Sequence, residues 1–178
     1  MAEMTGLQTN VEAPDFSDPL GLLKACHQRI LGFCNLLEKM VVHNNKNGID
    51  SEFKQAAQKI HRYFTTAGIL HHMDEEQDLF PLLVGQSLKI ATIINDLKQD
   101  HIAMNAAWEK LEPVLAHPAI IEDASEFEQW VNEFCHLYRK HIKTEEEDFL
   151  SIAQHMLSSE QLVHLGESMK ERRGKGRI

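Results

Sequence analysis

The stretch HHMDEEQDLFP, residues 71–81, places His71 and Glu75 one helical turn apart. Side chains four residues apart lie on the same face of a helix and can contact each other. One interpretation is a solvated helix surface, where Glu, Asp and His are common. The other is half of a metal site, in which one helix face presents an imidazole and a carboxylate together. The rest of the sequence favours the second interpretation.

The composition is that of an ordinary globular protein. Of the 178 residues, 43% are hydrophobic and 25% are charged, which fits one domain with a full core. The net charge of -9 argues against a nucleic-acid partner and is compatible with a bound multivalent cation. No signal peptide and no membrane span is predicted. The cysteines form no CxxC motif, which predicts free thiols in a reducing cytoplasm; they are Cys26, Cys34 and Cys135.

The hydrophobic periodicity predicts an all-α chain of four long helices and a short fifth one, after a flexible segment over residues 1–17. The helices are expected to run from Asp18 to NKNG (45–48), from Asp50 or Ser51 to about Val84, from about Leu88 to Ala116, from Ser125 to about Met156, and over residues 158–174. Asp18 and Pro19 are typical of a helix start, and Ser125 with Glu128 forms a capping-box pattern. Pro81 is expected to kink the end of the second helix. Short connections between long helices indicate an antiparallel up-down-up-down four-helix bundle.

Each of the four long helices carries an apolar stripe, and each stripe contains one histidine. These are His27, His71, His101 and His141, and two stripes continue with a carboxylate four residues later, Glu75 and Glu145. At about 1.5 Å rise per residue, the four histidines fall within roughly 10 Å of one level of the bundle. A single core histidine is usually a packing residue, but four histidines and two carboxylates on one level need a common partner. A metal ion satisfies all of them together.

The ligand types indicate which metal. Six nitrogen and oxygen ligands without a thiolate exceed the four of a structural zinc site. Imidazole mixed with carboxylate suits iron, and two carboxylates can bridge a pair of irons. A ferritin-like di-iron site would need two Glu-x-x-His pairs, and Glu133 with His136 is the one such pair in the chain.

These motifs resemble the hemerythrin-like HHE cation-binding family across about residues 18–174. The matching pieces are His27, HHMDEEQDLFP (71–81), QDHIAMN (99–105), HIKTEEEDF (141–149) and the closing MKERRG (169–174). The resemblance implies that residues 18–178 form one domain, a four-helix bundle that holds two iron ions joined by an oxo or hydroxo group. The implied terminal ligands are His27, His71, His101 and His141, and the implied bridges are Glu75 and Glu145.

One position departs from the oxygen-carrying hemerythrins. These supply a second histidine four residues after the one on the third helix, where this chain has Asn105. Although Glu146 could imitate the aspartate of their fourth helix, Glu145 fits the iron-centre repair and sensing branch better. The resemblance therefore implies a protein that binds or reacts with oxygen, nitric oxide or reactive oxygen species, or that handles iron, in sensing, stress response or repair. It disfavours a reversible oxygen store.

Two other functions stay open. A di-iron oxidase or peroxidase-like enzyme would use the same irons, and no motif separates turnover from sensing. A metal-free interaction module would leave six polar residues of the apolar stripes unexplained. The sequence indicates neither a nucleic-acid nor a membrane partner and names no protein partner.

The remaining polar residues near the predicted site receive simpler interpretations. His72 is either a neighbour of the metal or solvent-facing, and the second is favoured. Glu76, Glu146 and Glu147 are expected to be exposed. Tyr63 and Tyr138 could donate a hydrogen bond to a bound ligand, although the pattern does not place them.

Overall fold

The computed structural model describes residues 14–175, which are helical throughout apart from short turns and contain no strand. Eight α-helices and two π-helical turns make up five consecutive helical segments. The α-helices are α1 (Pro19–Asn47), α2 (Ser51–Phe64), α3 (Ala67–Met73), α4 (Phe80–Leu83), α5 (Leu88–Ala116), α6 (Ala124–Thr144), α7 (Ser151–Met156) and α8 (Ser159–Lys175). The all-α prediction is confirmed. Residues 1–13, most of the segment predicted to be flexible, lie outside the described residues.

The first and third long helices match the sequence prediction. The Asp18 carboxylate accepts a hydrogen bond from the Gly21 N–H at 3.0 Å, and Pro19 is the first residue of α1. At the other end of α1, Gly48 has φ +71°, a left-handed conformation that glycine adopts without strain. The Ser87 hydroxyl caps α5 by accepting from the Ile90 N–H at 3.2 Å.

The prediction of one continuous second helix is wrong at Thr65 and Thr66, where a turn separates α2 from α3. The Thr65 hydroxyl donates to the His61 carbonyl at 2.8 Å, and that of Thr66 donates to the Arg62 carbonyl at 2.6 Å. Such bonds offer the backbone an alternative to the regular helix pattern. Further along, a π-helical turn over Asp74–Leu79 joins α3 to α4, and Pro81 lies at the start of α4.

The N-cap of the fourth helix lies two residues earlier than predicted. Asp123 is the N-cap of α6, and its carboxylate accepts from the Ser125 N–H at 2.7 Å, so the predicted capping box that starts at Ser125 is wrong. The reason is that an aspartate two residues upstream already accepts a hydrogen bond from one of the free N–H groups of the first turn. A second π-helical turn, Glu145–Leu150, connects α6 to α7, which ends at Met156 as predicted.

Two apolar clusters form the core. The larger one takes residues from α1, α2, α5 and α6: its members lie between Ile30 and Val41, Phe53 and Phe64, Met104 and Leu115, and Phe127 and Ile142. The smaller one contains Leu23, Leu79, Phe80, Leu83, Ile90, Ile94, Leu97, Phe149, Leu150, Ala153, Leu157, Leu165 and Met169. Each fully buried Leu or Phe contributes about 1.5–3 kcal/mol. Together the clusters fix the helices on both sides of the buried polar layer described below.

The C-terminal helix α8 packs on α1 and on the first π-turn. Leu165 and Met169 belong to the smaller apolar cluster, and Gly166 lies against the Phe16 carbonyl. A Cβ atom at Gly166 would come within 2.0 Å of that oxygen, so glycine is required for this close approach. Among the helices of residues 14–175, none has the length and apolar character needed to cross a membrane.

Candidate metal centre

The six residues singled out in the sequence meet in one buried layer between the two apolar clusters, here called the central cluster. Its members are His27 of α1, His71 of α3, Glu75 of the first π-turn, His101 of α5, His141 of α6 and Glu145 of the second π-turn. None of them is more than 1% exposed. Charged side chains are almost never buried to this degree without a partner.

The donor atoms of the central cluster form two groups that share Glu75. In the first group, His71 Nε2 lies 2.9 Å from Glu75 Oε1, and His27 Nε2 lies 3.0 Å from Glu145 Oε2. In the second group, His101 Nε2 lies 3.2 Å from Glu75 Oε2 and 3.2 Å from His141 Nε2. Within each group these atoms are within 4.8 Å of one another, close enough to bind one ion. Glu75 therefore turns one carboxylate oxygen toward each group, as a bridging ligand does.

The geometry within the cluster is poor for hydrogen bonding. Both carboxylate oxygens of Glu75, both of Glu145 and the Nε2 of His27 are buried and make no aligned hydrogen bond. Buried polar atoms of native proteins nearly always have such a partner. Several unpaired donor atoms that converge on common points are the arrangement a metal site requires, so the residues present fit a metal site.

The electrostatics of the cluster are those of closely spaced ion pairs. Burial alone would lower the pKa of His27, but the Glu145 and Glu75 carboxylates raise it to about 11. Burial would also lower the pKa of His71. The Glu75 charge and a hydrogen bond with Cys26 raise this pKa to about 10. Burial would raise the pKa of the Glu75 carboxyl, but the neighbouring histidines hold this pKa well below its usual range. Without metal, protons on the imidazoles offset the buried carboxylate charge.

Two further carboxylates orient histidines of the cluster from outside. The ring N–H at Nδ1 of His101 donates to Glu76 Oε1 at 2.6 Å, and that of His27 donates to Glu146 Oε1 at 2.9 Å. Such a bond fixes the tautomer and leaves Nε2 free to face the cluster. Exposure was predicted for both residues; Glu76 is exposed and Glu146 is partly buried, but their contact with the histidines was missed. The signal available in the sequence is that each directly follows a cluster glutamate.

The sequence favours a solvent-facing position for His72. In the structure His72 lies beside the second group instead. It is partly buried, and its ring stacks on that of His101 with centroids 4.2 Å apart. Burial and the charge of His101 lower the pKa of His72 well below its usual value, which keeps this ring neutral. A surface cavity of about 200 Å³ opens here and is lined by Ile69, His72, Met73, Glu76, Gln77 and Asn105.

The two tyrosines lie on the side of the larger apolar cluster. Tyr138 is buried and stacks against His72 with ring centroids 6.0 Å apart. Tyr63 is buried between Phe33 and Phe64, and its hydroxyl has no hydrogen-bond partner. Tyr138 thus makes a ring contact with a histidine beside the central cluster.

The family model of the Hemerythrin HHE cation binding domain matches residues 18–153. The chain belongs to this family. An uncharacterized protein of Haemophilus influenzae is 31% identical to this hemerythrin-like chain over 159 residues, which cover 89% of the chain and 91% of the relative. The family resemblance predicted from the sequence is confirmed, and α8 lies beyond the matched residues.

Metal binding should release protons. Near pH 7 the metal-free protein holds a second ring proton on both His27 and His71, because their pKa values are about 11 and 10. A histidine must lose that proton before Nε2 can bind a metal. Binding of a divalent metal should therefore release at least about two protons per chain near neutral pH, measured with a pH indicator in weakly buffered solution.

The same pKa values give the sign of the pH dependence. Because the bound protons compete with metal up to about pH 10, affinity should continue to rise between about pH 6 and about pH 9. Histidines with an ordinary pKa of about 6.5 would give a metal affinity that levels off at neutral pH. Such a plateau, with no proton release, would show that the buried imidazoles are neutral before metal binds.

Replacing Glu76 or Glu146 by Gln should weaken metal binding about 10–100-fold without unfolding the protein. The amide keeps the size of the side chain but removes the charge that orients His101 or His27. The measurement is the dissociation constant for cobalt(II), with Glu147→Gln, an exposed neighbour, as the control. Equal affinity of all three variants would show that Glu76 and Glu146 do not support the site.

Proposed function

We propose that this hemerythrin-like protein holds two iron ions in the central cluster and binds or reacts with oxygen, nitric oxide or reactive oxygen species, or handles iron. The roles that fit are sensing, stress response and iron-centre repair. In this proposal the terminal ligands are His27, His71, His101 and His141, and the bridging ligands are Glu75 and Glu145. The observation that carries it is the pair of buried donor groups that share the Glu75 carboxylate.

We also infer that the four long helical segments run up-down-up-down. Residues of the larger apolar cluster follow His27 and His101 along the chain, whereas nearly all those on the other two segments precede His71 and His141. In the smaller cluster this order is reversed, since Leu23 precedes His27 while Leu79 follows Glu75. Alternation of this kind supports antiparallel neighbours on both sides of one polar layer.

The donor set favours reactivity over storage. A bound iron pair would supply a change of oxidation state and coordination positions for small molecules. Four imidazoles and two carboxylates leave two six-coordinate ions short of protein ligands. Asn105, which stands where oxygen carriers have a further histidine, is exposed at the cavity beside His72. A diatomic molecule that enters this cavity meets His72, the ring stacked on the proposed ligand His101.

The setting proposed for this chemistry is the cytoplasm. All three cysteines are free thiols, with Cys34 and Cys135 buried in the larger apolar cluster and Cys26 partly exposed. Free thiols are usual in a reducing compartment.

Protein loaded anaerobically with ferrous iron should retain about two irons per chain, bind nitric oxide, and be oxidised by air without reversible oxygen uptake. Glu75→Gln and Glu145→Gln should each lose most of the iron, because an amide is a poor bridge between two cations. Glu147→Gln changes an exposed carboxylate of the π-turn that also contains Glu145, and it should leave the iron content unchanged. The measurements are metal analysis, nitric oxide titration followed by absorption, and an oxygen electrode.

Three different results would each indicate a specific alternative. Stoichiometric zinc with no uptake of iron would contradict the di-iron centre. Oxygen uptake that reverses on removal of oxygen would restore the storage function. Sustained turnover of peroxide or an organic substrate would identify the oxidase or peroxidase-like enzyme.

A further inference from the structure

The C-terminal helix α8 reaches the metal-centre region from outside the residues that the family model matches. The match ends at residue 153, whereas α8 covers Ser159–Lys175. The last turns of α8 carry two consecutive arginines, Arg172 and Arg173. Both contact the first π-turn, the turn on which Glu75 lies.

The contacts centre on Asp74, a carboxylate with 0% exposure. Arg172 donates to its Oδ1, and Arg173 Nη2 donates to its Oδ2 at 2.6 Å, so each oxygen of Asp74 has its own guanidinium. The second arm of Arg172 donates to Asp78 Oδ2 at 2.6 Å, further along the same turn. Charge-assisted bonds of this kind are the strongest hydrogen bonds that side chains form.

Asp74 and Glu75 are adjacent in sequence but serve opposite sides of the turn. Asp74 faces the arginines of α8, while Glu75 faces the histidines of the central cluster. Two neighbouring buried carboxylates are tolerated because each has cationic partners. Without the arginines, the Asp74 charge would be buried and unpaired, which destabilises the turn in its present position and favours its movement toward water. Glu75 would move with it.

Helix α8 is itself fixed against the rest of the protein. Met169 packs in the smaller apolar cluster, and Gly166 lies against the Phe16 carbonyl. The Arg173 guanidinium sits 5.9 Å from the Phe16 ring centroid and also donates to the Met169 carbonyl at 2.9 Å. The arginines therefore lie on a helix that is packed against the rest of the protein. The second π-turn differs, because the residue before Glu145 is the uncharged Thr144.

We propose that Arg172 and Arg173 clamp Asp74 and Asp78, and that this clamp positions Glu75, the carboxylate shared by both donor groups. Arg173 and Asp74 are then positioning residues, which contact each other and act on the central cluster through Glu75. The proposal rests on the proposed function in one respect, namely that the central cluster binds metal. It adds that metal retention depends on the C-terminal helix.

The test compares Arg173→Ala, Asp74→Asn and the conservative Arg173→Lys with the wild-type protein. Arg139→Ala is the matched control, because Arg139 also makes a two-pronged ion pair, with Glu38, but joins α6 to α1 on the surface. Each variant is loaded with cobalt(II). The readouts are the visible absorption spectrum, the rate of metal loss to a chelator, and the thermal midpoint of the metal-free protein.

Arg173→Ala and Asp74→Asn should release cobalt at least about tenfold faster than the wild type and alter its spectrum. Arg173→Lys should recover most of the wild-type retention, and Arg139→Ala should stay within about twofold of the wild type. If Arg173→Ala does not fold, Asp74→Asn, which keeps the size of the side chain, decides the matter.

The clamp is wrong if Asp74→Asn keeps the wild-type release rate and spectrum. It is equally wrong if Arg139→Ala speeds release as much as Arg173→Ala, because general destabilisation would then explain both. Failure of the wild-type protein to bind cobalt or iron would instead contradict the proposed function. That result is obtained before any variant is compared, so the two failures are distinguishable.

Discussion

Everything in this structure depends on how two buried carboxylates are compensated. Glu75 and Glu145 lie between four helical segments with no exposure, and an isolated buried charge of this kind is not stable. Protons on the surrounding histidines offset the charge in the metal-free protein, as the raised pKa values of His27 and His71 indicate. A metal pair would replace those protons at the same positions. Proton binding and metal binding are thus two solutions of one electrostatic requirement, and they exclude each other.

The site is built by using one device twice. In each copy a histidine is followed four residues later by two adjacent glutamates, in HHMDEE (71–76) and HIKTEE (141–146). The first glutamate turns into the cluster and contacts the histidine of its own segment, while the second orients a histidine of another helix. Both copies lie at a π-helical turn. Turns of this type are frequent at functional sites. Here they lie at the level of the central cluster.

The sequence was sufficient for the parts of this design that depend on periodicity and on spacing within one helix. Hydrophobic stripes predicted the long helices and placed four histidines on one level, and the structure brings those histidines together with Glu75 and Glu145. The break at Thr65 and Thr66 was missed, because hydroxyl bonds to the preceding turn compete with helix continuation at positions where both residues are acceptable in a helix. The π-turns were missed as well, since hydrophobic periodicity does not distinguish a single π-turn from a regular α-helix.

Contacts between distant segments could not be predicted. In the sequence Glu76 and Asp74 resemble ordinary surface acids. In the structure α5 places His101 beside Glu76. Helix α8 places two arginines, almost a hundred residues further along the chain, beside Asp74. The stacking of His72 on His101 is of the same kind. Burial of a charged residue depends on partners that only the tertiary fold brings near. For that reason a single sequence identifies candidate ligands more readily than the residues that contact them.

The most direct test of this account is anomalous X-ray diffraction at the iron absorption edge from crystals of the iron-loaded protein. The account predicts two iron peaks. One should be bound by His27 and His71 and the other by His101 and His141, with Glu75 and Glu145 shared between them. A single peak, or peaks bound by His72 or Glu76 in place of His71 and Glu75, would contradict it.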